Sequence, residues 1–281
     1  MITGSKAEIA VLRVFCAEPF RYFSVQELAK RVKILEELGR NEMLLKERKV
    51  YRLNYSNILC KRLKLLFDSE FVLSLDIGKR ILRMVERIVY ECSPDSVVLV
   101  GSAAVGKHVG ESDVDFLVIA SKKEVPLLDN VNVVVMNRRE LERKFMKGDD
   151  FIVSALSRGR VVYDKEDFIN FYTKPLPVFS SEVIREKIET CEKLRDRAYN
   201  LLRVNAEKGS EEVLNLAIQC ARVIPLKKGV IPGVKREIVK QIKSENKRLS
   251  EIIENLMNGE KVEKGEVVDY LRFCSELISE F

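Results

Sequence analysis

Two carboxylates, Asp113 and Asp115, stand two residues apart at the head of the apolar run Val114-Asp115-Phe116-Leu117-Val118-Ile119. Alternation along a strand puts both side chains on the same side. A pair of this kind suits Mg²⁺, which takes oxygen ligands and usually shares them with substrate phosphates. Upstream, Gly101-Ser102 closes a second apolar run, Val97 to Val100. A glycine there permits a sharp turn and close approach of a ligand. The serine offers a hydroxyl and an amide beside an expected helix start, a favourable place for phosphate. Together these positions predict a nucleoside triphosphate held by the serine turn at its phosphate tail and by metal at the reacting phosphorus. Lys107, in the intervening loop, places a cation within reach of the same tail, whereas His108 reads as an exposed loop residue with no catalytic part.

The elements that must position these groups are a strand, a glycine turn, a short helix and a second strand. Val97 to Val100 is continuously apolar and β-branched, as in a strand buried on both faces. A polar turn, Ser121-Lys122-Lys123-Glu124, precedes a third strand, Val131 to Met136. A helix over 78–92 leads into the first strand and is expected to pack on the sheet. Asp149 and Asp150 follow a glycine at a helix start, where a capping role explains them.

Gly101-Ser102 followed by Ser112-Asp113-x-Asp115 and an apolar strand resembles the DNA polymerase β-like nucleotidyltransferase superfamily, especially its minimal members. The resemblance implies a mixed-sheet α/β core, Mg²⁺ or Mn²⁺ as cofactor and an NTP as substrate or ligand. It places Asp113 and Asp115 as metal-holding catalytic carboxylates, and Gly101, Ser102 and Lys107 at the nucleotide phosphates. Active enzymes of this superfamily carry a third carboxylate on the neighbouring strand. The matching position here is Asn132, also placed in the catalytic set, whose amide can orient water or donate to a phosphate but cannot act as a general base. Asp129 lies three residues earlier and faces the other way on a regular strand.

The net charge of +6 resides in the N-terminal third: residues 1–92 carry +6, residues 93–175 carry −1 and residues 176–281 carry +1. Ser5 caps a helix running toward Pro19. Ser24-Val25-Gln26-Glu27 forms a capping box for a second helix bearing Leu28, Ala29 and Val32, and Met43 to Asn54 reads as a β-hairpin with a charged tip. Helix, helix and basic hairpin resemble a winged helix-turn-helix, although Ile34 to Leu38 is short for a full recognition helix. Lys30, Arg31, Lys33, Lys46, Arg48, Lys49 and Arg52 are its candidate DNA or RNA contacts, through phosphate rather than base readout. With the core, this outline is similar to prokaryotic proteins that fuse a winged helix to a minimal nucleotidyltransferase.

Lys174-Pro175-Leu176-Pro177 marks a linker. Beyond it four amphipathic helices are expected: about 180–205, 210–223, 234–257 and 265 to the end. They predict an antiparallel bundle resembling the HEPN-class domains that accompany such transferases. Catalytic members of that class use an arginine followed a few residues later by a histidine, and no histidine follows His108, the only one in the chain. The expected organisation is therefore α/β with an N-terminal winged helix-turn-helix at 1–75, a nucleotidyltransferase domain at 76–175 and an all-α bundle at 176–281.

The single histidine also argues against a histidine-rich zinc site and a Ser-His-Asp triad. Six widely spaced cysteines without a C-x-x-C pair read as reduced core thiols. No apolar run reaches bilayer length and no signal pattern opens the chain, so a cytoplasmic protein without membrane contact is expected, with a homodimer open. Two functions follow. The favoured one is an enzyme transferring a nucleoside monophosphate from an NTP to a hydroxyl. The alternative is a catalytically weak, nucleotide-sensing DNA-binding regulator or antitoxin-like module. The missing third carboxylate separates them.

Overall fold

The computed structural model describes all residues except 1–4, 29–30, 109–112, 122–125, 127, 166 and 259–262. The chain divides into two compact units, Met1–Phe145 with Phe151–Leu176, and Met146–Asp150 with Pro177–Phe281.

The first unit opens with α1 (Lys6–Ala17), whose N-terminus is capped by the Ser5 hydroxyl accepting from the Glu8 amide at 3.1 Å. β1 (Phe23–Ser24), β2 (Leu44–Glu47) and β3 (Val50–Leu53) form an antiparallel sheet in the order β1-β3-β2. The expected hairpin is present, but the helix expected from Ser24 is not. Val25 to Leu28 form a turn, and α2 spans Val32–Arg40. The capping box closes locally instead: the Glu27 carboxylate accepts from the Ser24 amide at 2.8 Å and hydroxyl at 2.9 Å. Because α2 continues through Gly39, it is longer than the Ile34 to Leu38 segment anticipated from the sequence. Ala29 and Lys30 lie outside the described residues.

α3 (Ile58–Leu73) and α4 (Gly78–Cys92) then lead to a four-stranded mixed sheet of β4 (Ser96–Val100), β5 (Val114–Ile119), β6 (Val131–Met136) and β7 (Arg160–Asp164). The order is β6-β5-β4-β7, with β5 and β6 parallel and the other pairs antiparallel. All five residues of β4 are buried, as its uninterrupted apolar sequence requires for a central strand covered on both faces. α5 (Gly101–Ala104) follows β4 directly, and α6 (Arg138–Lys147) and α7 (Asp150–Arg158) connect β6 to β7. One face of the sheet, through Val97, Leu99, Phe116 and Val118, packs with α4. The other, through Val98, Val100, Leu117 and Ile119, shares a core with Leu12, Phe15, Leu38 and Tyr172.

That second face has an ionic core. Lys64 and Asp68, one turn apart on α3, are both buried and paired. Asp68 also accepts from the Val161 amide of β7 at 2.7 Å. Burial pulls the Lys64 ammonium below its usual range, opposed by the adjacent Asp68 carboxylate.

The second unit is helical: α8 (Ser181–Val204), α9 (Ala206–Lys227), α10 (Lys235–Ile242), α11 (Lys247–Met257) and α12 (Lys264–Glu280). α9 lies against each of the other four. The helix expected over 234–257 is two helices, because Asn246 turns out of the helical path and caps α11 by accepting from the Leu249 amide at 2.9 Å. Gly209, expected near a helix end, lies inside α9. A Cβ there would come within 2.5 Å of Leu202, so the glycine lets α8 and α9 approach closely. Asp150 pairs with Lys187 at 2.9 Å. Among the described residues, no helix is long and apolar enough to cross a membrane.

Candidate active site

The carboxylate site lies in the first unit, where β4 ends and β5 and β6 begin. Register places it there: Val100 of β4 is opposite Asp115 of β5, and Asp115 is beside Asn132 of β6. Asp113 precedes β5 by one residue and returns to the same side as Asp115. The two carboxylates are joined by one amide, Asn132 Nδ2 donating to Asp113 Oδ2 at 3.2 Å and to Asp115 Oδ1 at 3.1 Å.

The turn after β4 is shaped around this cluster. Gly101 has φ of +71°, and a Cβ there would sit 2.2 Å from Asp115 Oδ2. Only glycine combines that backbone conformation with that space. The Ser102 carbonyl accepts from the Lys107 amide at 2.9 Å, folding the loop back on itself. Burial pushes the Asp115 carboxyl above its usual range. The Asn132 hydrogen bond pulls it back, the neighbouring Asp113 pushes it up, and His108 opposes that rise. His108 therefore belongs to the electrostatic surroundings of Asp115, which its place in a loop did not reveal. Two residues beyond Asn132, Val134 is 42% exposed, leaving the adjoining sheet surface open.

Gly101, Ser102, Asp113, Asp115 and Asn132 thus converge, with Lys107 at the end of the same turn, while Ser112 lies outside the described residues. Among the basic N-terminal positions, Lys33, Lys46, Arg48 and Lys49 are exposed. Arg52 and Arg31 depart from the expected phosphate contacts. Arg52 is buried, with its guanidinium directed to the Tyr172 carbonyl at 3.4 Å, and Arg31 donates to the Ala7 carbonyl at 2.8 Å. Lys30 is not among the described residues.

The fold and this cluster define a nucleotidyltransferase core, and comparison with known families gives the same class. The nucleotidyltransferase domain family matches residues 79–258, well over half of the chain, and the chain belongs to that family. The match runs from α4 through the mixed sheet and on into α11.

Two solved structures resemble the chain. A nucleotidyltransferase-like protein from Exiguobacterium sibiricum 255-15 shares 17% identity over 71% of this chain and 73% of its own, with a TM-score of 0.40. Spectinomycin adenyltransferase from Enterococcus faecialis, solved with ATP and spectinomycin, shares 14% identity over 72% of this chain and 99% of its own, with a TM-score of 0.49. These are loose likenesses. No curated protein matches the chain significantly in sequence.

Proposed function

We propose that the chain transfers a nucleoside monophosphate from an NTP to a hydroxyl acceptor, with Mg²⁺ or Mn²⁺ held by Asp113 and Asp115. The observation that carries this is the convergence of both carboxylates on one amide, beside a glycine whose missing Cβ leaves room for Asp115.

The donor set fits the cation. Two carboxylate groups supply hard oxygen ligands and leave the remaining positions to triphosphate oxygens and water, the usual manner of Mg²⁺ binding. Asn132 now donates to both carboxylates; rotating its amide would present the carbonyl oxygen to the same point. When bound, the cation neutralises triphosphate charge and polarises the reacting phosphorus. The protein's own groups bind and orient. The Gly101-Ser102 turn and Lys107 hold the phosphate tail, and Asn132 orients the acceptor. None of these takes the acceptor proton, so Asn132 limits the rate. Asn132→Asp supplies the missing base and raises transfer by about 100-fold, the lower range for a positioned general base.

We further read α1, β1, α2 and the β2–β3 hairpin as a winged-helix arm that meets DNA or RNA phosphates through Lys33, Lys46, Arg48 and Lys49. Their exposure supports this, and Arg48 and Lys49 form the hairpin tip. In the same proposal the chain has three parts, the arm at 1–75, the nucleotidyltransferase core at 76–175 and the helical bundle at 176–281.

Incubating the protein with α-labelled NTPs, Mg²⁺ or Mn²⁺ and candidate acceptors tests the principal reading. Label transfer that disappears in Asp113→Ala and in Asp115→Ala is expected. Transfer that survives both substitutions would sink the assignment. For the arm, salt-titrated DNA binding should weaken and become less steeply salt-dependent in Arg48→Gln/Lys49→Gln; unchanged binding removes the hairpin tip from the reading.

A further inference from the structure

Away from the carboxylates, the first unit contains a cavity of about 550 Å³ between α1, α3 and β7, a volume typical of small-molecule sites. Two of its lining side chains are guanidiniums stacked on phenyl rings. Arg13 lies 5.4 Å from the centroid of Phe67 and Arg160 lies 4.1 Å from that of Phe71. Such stacking holds a guanidinium in a fixed plane while leaving its edge available for hydrogen bonds.

The wall carries two cations, Arg13 and Arg160, and two carboxylates, Asp68 and Glu70, but Asp68 is also committed to the buried Lys64 behind it. Arg13 is matched by Glu70 at 2.8 Å on the exposed rim. Arg160, only 14% exposed, must share Asp68 with the buried Lys64. Asp68 Oδ2 already serves Lys64 and the Val161 amide, which leaves Arg160 a 3.4 Å contact to Oδ1. Lys64 and Arg160 therefore share one carboxylate, which leaves the partly buried Arg160 guanidinium at the cavity wall weakly compensated and favours a further anion there. Ala17, Phe67, Phe71 and Leu73 give the same cavity apolar walls.

We propose that this cavity binds a small anion with an apolar body, a carboxylate or a phosphate monoester carried on an aryl or alkyl group. Arg160 and Arg13 take the anionic end by charge-assisted hydrogen bonds, and the apolar part lies against Ala17 and Leu73. The site is linked to the carboxylate cluster. Arg160 Nε also donates to the carbonyl of Ala104, the last residue of α5, at 3.0 Å. A ligand that draws on this guanidinium shifts the end of the turn that begins at Gly101. This coupling rests on the nucleotide reading given above; the binding itself does not.

The test is calorimetric titration of the intact chain with phenyl phosphate and with benzoate, first without nucleotide or metal. Saturable one-site binding by at least one probe is expected, weakened about tenfold by Arg13→Gln on the exposed rim and abolished by Arg160→Gln. Should Arg160→Gln fail to fold, Arg13→Gln decides. Absence of saturable binding, or binding unaffected in the folded variants, overturns the proposal. ATP affinity is then measured with and without the saturating probe. A shift of about threefold or more supports the coupling, and no shift while both ligands bind refutes it. Failure of ATP to bind at all would instead refute the nucleotide reading and leave the cavity result standing.

Discussion

At the scale of single residues, Gly101 and Asn132 shape the site as much as the carboxylates do. Gly101→Ala forces a Cβ into Asp115 at a φ of +71°. It should cost about 1–2 kcal/mol for the left-handed backbone alone, seen as a lower melting temperature, and should abolish nucleotide transfer. Asp115 carries a pH signature. Since burial raises its carboxyl pKa above the usual 3.8, the folded state favours the protonated form. That contribution to stability is complete below the unfolded value and is lost as pH rises through the folded one. Metal binding needs the ionised form, so affinity should fall with pH through a midpoint above 3.8. Asn132→Leu, which removes the hydrogen bond that lowers this pKa, should move the midpoint higher still in metal titrations at stepped pH. The carboxylate pair and the glycine turn were legible from period-two spacing and residue type, and Asn132 only through the resemblance to polymerase β-like transferases. The nearness of His108 to Asp115 was not, because a loop has no period to read.

At the scale of elements, strands and helices with strong patterns were foreseen and those defined by local hydrogen bonds were not. β4, β5 and β6 were legible as apolar runs and α4 as an amphipathic one. The Ser24 capping box closed a turn rather than opening a helix, and Asn246 divided one expected helix into two, because in each case a side chain competes with the helical backbone for its amides. The tie between α3 and β7 was also invisible, since it joins residues distant in sequence. Asp68 accepts from Lys64, the Val161 amide and Arg160 at once. Asp68→Ala should therefore destabilise the protein by roughly 3–5 kcal/mol in chemical denaturation, as breaking one side of a buried ion pair does.

At the scale of the whole molecule, the sequence marked the break near Pro177 where the second unit resumes. It did not show how residues far apart converge. Cys191, Cys220 and Cys274, read from the sequence as reduced core thiols, come from α8, α9 and α12. All three are buried in the same apolar core. Nor did the sequence show that the N-terminal elements share an apolar core with the mixed sheet. Family membership fixes the class of the core. In the proposed reading, Asp113 and Asp115 together hold a divalent cation for a bound triphosphate. Electron paramagnetic resonance of Mn²⁺, titrated into the protein with and without ATP, reads this directly. Mn²⁺ should bind more tightly when ATP is present and should lose this site in both Asp113→Ala and Asp115→Ala. Equal ATP-dependent Mn²⁺ binding by the wild type and the two variants would contradict the claim.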